Sequence, residues 1–183
     1  MVLDDVRCGG RLHSGGSHRH FGFTPDLAIY SKALGNGYAI SACVGNESLR
    51  KPSMEVFLTG SCWNDALAMT AALKSLEISA RDDVVSGVLE KGSYLCDGLE
   101  RASKDRGQSL FMTGPTSMPY PWFEGDDGLF KIQRFCQLCA DEGIYFHPHH
   151  NWFLSNAHDA ESIDQAIAVA EKALGRMSEE ETS

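Results

Sequence analysis

The first sixty residues alternate between short apolar runs and turns that contain glycine. Four of the runs are long enough to form strands, at residues 1–3, 27–30, 40–44 and 56–58. Their nearly continuous apolar character is typical of a parallel sheet that is buried on both faces. The segment 11–22 is rich in Gly, Ser and His, and it predicts a loop with solvated histidines. We therefore expect an α/β arrangement in this part of the chain.

From residue 64 onward the apolar positions recur with the period of a helix. An Ala-rich helix is predicted to end near Ser79, and a longer one follows and stops at Gly107. Asp159 is a plausible N-cap for the last helix, and the acidic residues 177–183 after it are predicted to fray. Between the helix that stops at Gly107 and the last helix, the sequence predicts a strand at 109–112, a loop at 113–127, a helix at 129–142 and strand-like segments at 144–146 and 152–155. This pattern predicts a small α+β domain.

Composition excludes several classes of function. The chain has 183 residues, a formal net charge of −9 and a pI near 5.2. Because binding to nucleic acids requires clustered Lys and Arg, an acidic chain of this kind is not expected to bind them. No apolar run reaches the length that spans a bilayer, and the first residues do not resemble a signal segment. We expect a cytoplasmic protein without a membrane partner.

The six cysteines are expected to be buried thiols, since an intracellular chain rarely carries a disulfide framework. Cys136 and Cys139 have a spacing found in zinc sites, and His147, His149 and His150 follow. Both cysteines also fall within a helical pattern, whereas zinc ligands usually lie on turns. We therefore expect sulfur atoms that fill a core, and no metal site.

Lys32 and Asp4 form the pattern that bears most directly on function. Lys32 follows the apolar run 27–30 and precedes a glycine turn at 35–37, and Asp4 ends the run 1–3. Pyridoxal phosphate (PLP) chemistry requires a lysine for a Schiff base and an acid that keeps the pyridine nitrogen protonated. The alternative for Lys32 is an ordinary surface lysine, but its apolar neighbours make a solvated face a poor environment. Asp4 and Asp5 alone would be an unremarkable acid pair.

These residues also carry a resemblance to a known family. Segments 3–11, 24–27, 31–38 and 60–64 resemble, in this order, the class III PLP-dependent aminotransferases, and among them glutamate-1-semialdehyde 2,1-aminomutase. The C-terminal part, including residues 155–158, is similar only in pattern. In this family the aspartate lies well inside the polypeptide, so the chain resembles the C-terminal portion only. The phosphate-binding turn and the ring that stacks on PLP are expected to belong to the missing portion.

The resemblance implies a partial PLP-transferase fold of the aspartate aminotransferase type, with an α/β large domain that has a parallel-rich sheet and a small α+β C-terminal domain. Residues 1–83 would be the C-terminal part of the PLP-binding large domain, and 84–107 a bridging helix. Residues 108–177 would form the small domain, and 178–183 an acidic tail.

The resemblance also implies roles for individual residues. Lys32 would be the Schiff-base lysine and the general base of the proton shift. Asp4 would face the pyridine nitrogen, and Val6 would pack on the PLP ring. Ser61 would replace a threonine that reaches the PLP phosphate of a neighbouring subunit, which implies a homodimer. Gly10 replaces a phenylalanine, which changes the shape of the substrate pocket.

Two functions remain open at this point. One is PLP-dependent amino transfer between a small-molecule donor and acceptor, as an aminotransferase or aminomutase. The alternative is a truncated, non-enzymatic homologue or fragment that does not bind PLP productively alone. We also expect self-association near residues 60–61 and the following helix. Its small residues would permit close packing there, namely Ala66, Ala68, Ala71 and Ala72.

Overall fold

The computed structural model describes residues 1–182, which form two compact units. Unit 1 comprises Met1–Ser86, and unit 2 begins at Gly87. The domain bounds expected from the sequence, residues 1–83, 84–107 and 108–177, stay predictions.

Unit 1 contains a mixed sheet of three strands in the order β1-β2-β3. Strand β1 (Val2–Asp4) pairs in parallel with β2 (Leu27–Tyr30), and β3 (Ala42–Gly45) pairs with β2 in the antiparallel direction. The long connection after β1 allows a parallel neighbour, whereas the short one after β2 has no helical crossover and returns the chain antiparallel. The sheet is therefore not parallel throughout.

Two local predictions for unit 1 are wrong. The segment 11–22 is not entirely loop, because helix α1 (Ser17–Phe21) lies within it and His18 is only partly exposed. Residues 56–58 form no strand, since their side chains are exposed and they follow helix α2 (Arg50–Met54) without joining the sheet. An apolar run thus forms a strand only where a partner strand satisfies its backbone.

Helix α3 (Ala66–Arg81) packs its small residues inward. The Asp65 carboxylate caps it by accepting the N–H groups of Leu67 at 3.0 Å and Ala68 at 3.4 Å. Ala68 and Ala72 are buried, so the expectation that they offer a free face for a second chain is wrong. Four of the exposed residues of α3 are large and apolar, namely Leu67, Met69, Leu73 and Leu76.

Unit 2 combines a two-stranded sheet with three helices. Helix α4 (Val84–Asp105) lies almost wholly in it, followed by the antiparallel strands β4 (Leu110–Thr113) and β5 (Tyr120–Phe123). Helices α5 (Phe130–Asp141) and α6 (Ala160–Glu181) complete the unit. Asp159 caps α6 as predicted, accepting the Ser162 N–H at 2.8 Å.

Aromatic rings form the centre of unit 2. The Phe135 ring lies 6.0 Å from both the Phe123 ring and the Phe146 ring, and Phe146 stacks on Trp152 at 4.2 Å between centroids. These contacts join the sheet, α5 and the irregular segment that precedes α6.

Three predictions for unit 2 are corrected. Strand β5 lies within the predicted loop 113–127, since a strand with one neighbour can accommodate Pro121. Residues 144–146 and 152–155 form no strand, although the Trp152 N–H donates to the Pro119 carbonyl at 2.9 Å. Helix α6 continues to Glu181 where fraying was predicted, and buried Met177 and an ion pair between Arg134 and Glu180 hold it. Ser183 lies outside the described residues.

The cysteines divide between core and surface. Cys136 and Cys139 are buried on α5, where burial raises the pKa of Cys136 to about 12 and raises that of Cys139 as well. Cys43 and Cys62 are exposed, so the expectation of burial fails for them. Within residues 1–182 no group of three or more His, Cys, Asp or Glu could hold a metal ion. No helix in this range is long and apolar enough to cross a membrane.

Phe135→Ala should destabilise unit 2 strongly, by about 3–5 kcal/mol, because it removes a fully buried ring that contacts two others. Denaturant unfolding followed by tryptophan fluorescence measures the loss. Phe130→Ala, on the same helix but at a position that is 77% exposed, is the matched control and should change stability little. Equal losses from both substitutions would contradict this packing.

Candidate active site

The parallel pairing of β1 and β2 places Asp4 and Lys32 at one edge of the sheet. Asp4 is the last residue of β1 and aligns with Ile29 of β2. Lys32 follows two residues after the end of β2 at Tyr30. Since parallel strands end at the same edge, Asp4, Val6 and Lys32 all belong to this edge, where ligands of α/β folds commonly bind.

The Asp4 side chain is exposed at this edge. Its Oδ1 accepts the N–H of Val6 at 3.1 Å, which closes a small turn over Asp5. Among residues 1–182 Asp4 forms no ion pair with Lys32. Both charges are therefore available to a ligand.

Lys32 has an unusual backbone conformation. Its φ of 48° lies in the left-handed region, which a non-glycine residue adopts at a cost of about 1–3 kcal/mol. Its side chain is exposed, so the argument from a poorly solvated environment does not hold. The strained backbone is the stronger signal for a function, because such conformations persist where the surroundings impose them.

The surroundings of the Lys32 turn are well defined. Lys32 opens a short 3₁₀ turn, Lys32–Leu34, whose Ala33 carbonyl accepts the Ser75 hydroxyl of α3 at 3.3 Å. The Ser31 hydroxyl donates to the Ile40 carbonyl at 2.7 Å. The turn is thus fixed from α3 on one side and from the chain before β3 on the other.

Asp5 differs completely from Asp4. It is fully buried, and its Oδ2 accepts the N–H of Ser17 at 2.8 Å. Tyr30 lies beside it, and burial first and the Asp5 charge second raise the pKa of the Tyr30 phenol. The sequence offered no signal for this cluster beyond two adjacent aspartates.

Ser61 lies in a segment between α2 and α3 in which residues 51–67 are all exposed. The Trp63 N–H donates to the Gly60 carbonyl at 3.1 Å, so the segment turns at this point. No hydrogen bond within residues 1–182 joins Ser61 to Asp4, Val6 or Lys32. The structure therefore brings Asp4, Val6 and Lys32 to one edge, and Ser61 forms no hydrogen bond with any of the three.

Unit 2 contains a cavity that the sequence did not suggest. Its volume is about 400 Å³, and aromatic and aliphatic side chains line it, with His147 and His158 among the polar ones. The Trp152 indole N–H donates to the His147 carbonyl at 2.8 Å and so holds part of its wall. None of the predicted site residues lines it.

The side chains at the sheet edge match the donor set that PLP requires. A primary amine can hold the cofactor aldehyde, and a carboxylate can hold a protonated ring nitrogen. Lys32 and Asp4 provide both groups at the ends of adjacent strands, and neither group is buried. The residues present therefore fit the amine and nitrogen contacts of PLP.

Comparison with known proteins gives consistent results. The model of the family "Aminotransferase class-III" matches residues 1–169. The aminopentol aminotransferase of Sphingopyxis macrogoltabida is 37% identical over 175 residues, which are 95% of this chain and 41% of that protein. A glutamate-1-semialdehyde 2,1-aminomutase of Geotalea daltonii is 29% identical over 189 residues, 95% of this chain and 44% of that protein.

A solved structure shows the same fold. The PLP internal aldimine form of the FumI protein from Sphingopyxis sp. MTA144 superposes with a TM-score of 0.93 at 36% identity, covering 100% of this chain and 44% of that one. The fold is therefore that of part of a PLP-dependent aminotransferase. This chain spans about two fifths of the length of the relatives it matches. Because the family model covers most of its residues, the chain belongs to the class-III aminotransferases.

Proposed function

We propose that this chain carries the cofactor lysine and the cofactor acid of a PLP-dependent enzyme that transfers amino groups between small molecules. The observation that carries the proposal is the register of β1 and β2, which places Asp4 and Lys32 at one sheet edge. The left-handed backbone at Lys32 supports it independently. Family membership supports amino transfer in general, either between two molecules or within one.

Each residue has a defined part in this proposal. Bound PLP supplies a ring that withdraws electrons from the carbon bearing the amino group. The Lys32 Nζ would hold the cofactor, and as a free amine it would take up and return a proton at the substrate carbon. Asp4 would keep the ring nitrogen protonated, and Val6 would contact the ring. The Ser61 hydroxyl would donate to the phosphate of the PLP held by a neighbouring subunit.

A homodimer and a cytoplasmic location belong to the same proposal. The support for a dimer is the apolar surface of unit 1, where Leu73 of α3 and Phe57 and Trp63 before it are largely exposed. Exposed apolar groups of this size are typical of protein interfaces.

A second candidate is a homologue or fragment that does not bind PLP productively by itself. The observation that favours it is that the chain spans about two fifths of the length of its relatives. An absorbance titration with PLP separates the two. A visible absorption band in the purified wild-type chain after PLP is added supports the enzyme. The absence of this band supports the second candidate.

Lys32 should be the one lysine that PLP labels at high yield. Its position at the strand end beside the acid distinguishes it from the other lysines. Borohydride reduction in the presence of PLP, followed by peptide mapping, measures the label at each lysine. Lys32→Ala should remove the dominant label and Lys51→Ala should retain it; similar labelling of Lys51, Lys74 and Lys104 would refute the assignment.

Asp4→Asn should weaken PLP-dependent activity by about 100-fold or more, since an adjacent carboxylate can shift the pKa of a charged group by 1–3 units. Asp5→Asn should cost much less, because asparagine retains an oxygen that can accept the Ser17 N–H. Steady-state kinetics of both variants in a PLP-loaded protein provide the comparison. Equal losses would show that the wrong aspartate is assigned to the ring nitrogen.

The chain should self-associate through the apolar surface of α3. Leu73→Lys should shift the assembly toward monomer, because it places a charge in a surface that must become dry. Light scattering at several concentrations measures the change. Tyr145→Lys, at a similarly exposed apolar side chain in unit 2, is the control; a wild-type chain that is monomeric at high concentration would remove the dimer from the proposal.

A further inference from the structure

Asp5 is fully buried and forms hydrogen bonds through its backbone N–H, its backbone carbonyl and its carboxylate. Its backbone N–H donates to the Ile29 carbonyl at 2.9 Å, and its carbonyl accepts the Gly9 N–H at 2.8 Å. Its carboxylate accepts the Ser17 N–H at 2.8 Å, while its Oδ1 has no hydrogen-bond partner within residues 1–182. A buried carboxylate with one unpaired oxygen is unfavourable for stability. Its presence beside Asp4 therefore needs an explanation.

The loop between β1 and α1 closes tightly over this residue. A Cβ on Gly9 would lie 2.7 Å from the Asp5 carbonyl oxygen and 2.7 Å from the Tyr30 ring. A Cβ on Gly16, whose φ is 103°, would lie 2.5 Å from the Tyr30 hydroxyl and 3.1 Å from Asp5 Oδ2. Only glycine fits at these two positions, so the loop passes Asp5 and Tyr30 along a single path.

The same loop determines the direction of the Asp4 carboxylate. Asp4 Oδ1 accepts the N–H of Val6, the second residue of the loop, at 3.1 Å. The backbone between the two is that of Asp5 itself. Fixing Asp5 at its N–H, its carbonyl and its carboxylate therefore fixes the amide to which Asp4 is bonded.

We propose that Asp5 is a positioning residue that, through the Ser17 N–H and the closed loop, holds the Asp4 carboxylate toward the cofactor nitrogen. This inference rests on the proposed function for the identity of the nitrogen. The hold of Asp5 on Asp4 is a property of the chain without cofactor and can be measured without it. Asp5 touches neither cofactor nor substrate in this scheme.

Amide hydrogen exchange measured by NMR on the whole chain provides the test. In Asp5→Ala the Ser17 N–H loses its acceptor, and we expect exchange at Gly9 and Val6 to rise about tenfold as the loop loosens. Asp5→Asn should retain the slow exchange at Val6, because its oxygen can accept the Ser17 N–H. Ser17→Pro removes the donor at the first position of α1, where proline fits a helix, and should reproduce the effect of Asp5→Ala with Asp5 intact.

Asp126→Ala is the matched control. Asp126 is a buried aspartate of unit 2 whose carboxylate accepts the N–H groups of Phe130 at 2.8 Å and Ile132 at 3.0 Å. Its loss should accelerate exchange at those two amides and leave Val6 unchanged. This control separates a local hold on Asp4 from a general loss of stability.

The outcomes are distinct. Faster exchange at Val6 in Asp5→Ala and Ser17→Pro, but not in Asp126→Ala, supports the inference. Unchanged exchange at Val6 in both unit 1 variants overturns it, as does the same increase in the control. If Val6 exchange rises in Asp5→Ala and Ser17→Pro but not in Asp126→Ala, yet PLP never labels Lys32, the proposed function fails while the hold of Asp5 on Asp4 stands.

Discussion

The site depends on one backbone interaction, the parallel pairing of β1 with β2. Three aligned residue pairs place the ends of both strands at one edge, and Asp5 extends the pairing through its N–H to the Ile29 carbonyl. A slip of one residue would turn the Asp4 side chain to the opposite face of the sheet. The chemistry proposed for Lys32 and Asp4 therefore depends on strand register before it depends on any side-chain contact.

The second constraint is the size of the residues on the buried face of α3. Helix α3 contacts the Lys32–Leu34 turn, where the Ser75 hydroxyl donates to the Ala33 carbonyl. Ala68 and Ala72 are buried, so larger side chains at these positions would overpack the interior and displace the helix. The buried alanines of α3 thus serve packing within the chain, and the larger apolar residues of α3 provide the surface proposed for a partner.

Much of the fold followed from the sequence where a local signal existed. Strand β2 lies at its predicted residues, and Asp159 caps α6, because apolar runs and capping aspartates act through their immediate neighbours. Strand β5 is not predicted because proline usually argues against a strand, and Pro121 lies within it. The apolar residues near Trp152 predict a strand, but this segment forms only isolated hydrogen bonds to the chain near Pro119. Such outcomes depend on residues distant in sequence, which a local pattern does not contain.

In the candidate site, too, some features have a local signal in the sequence and others depend on residues distant in sequence. Lys32 and Asp4 could be selected from their residue types, their positions after apolar runs and the family resemblance, whereas the burial of Asp5 could not be predicted. Asp5 is buried beneath a loop in which Gly9 and Gly16 pass too close to Asp5 and Tyr30 to carry a side chain. Adjacent carboxylates in a strand end point in different directions, so the fold assigns one to solvent and one to the interior. The exposed acid can meet a ligand, and the buried one can act only through the backbone that it holds.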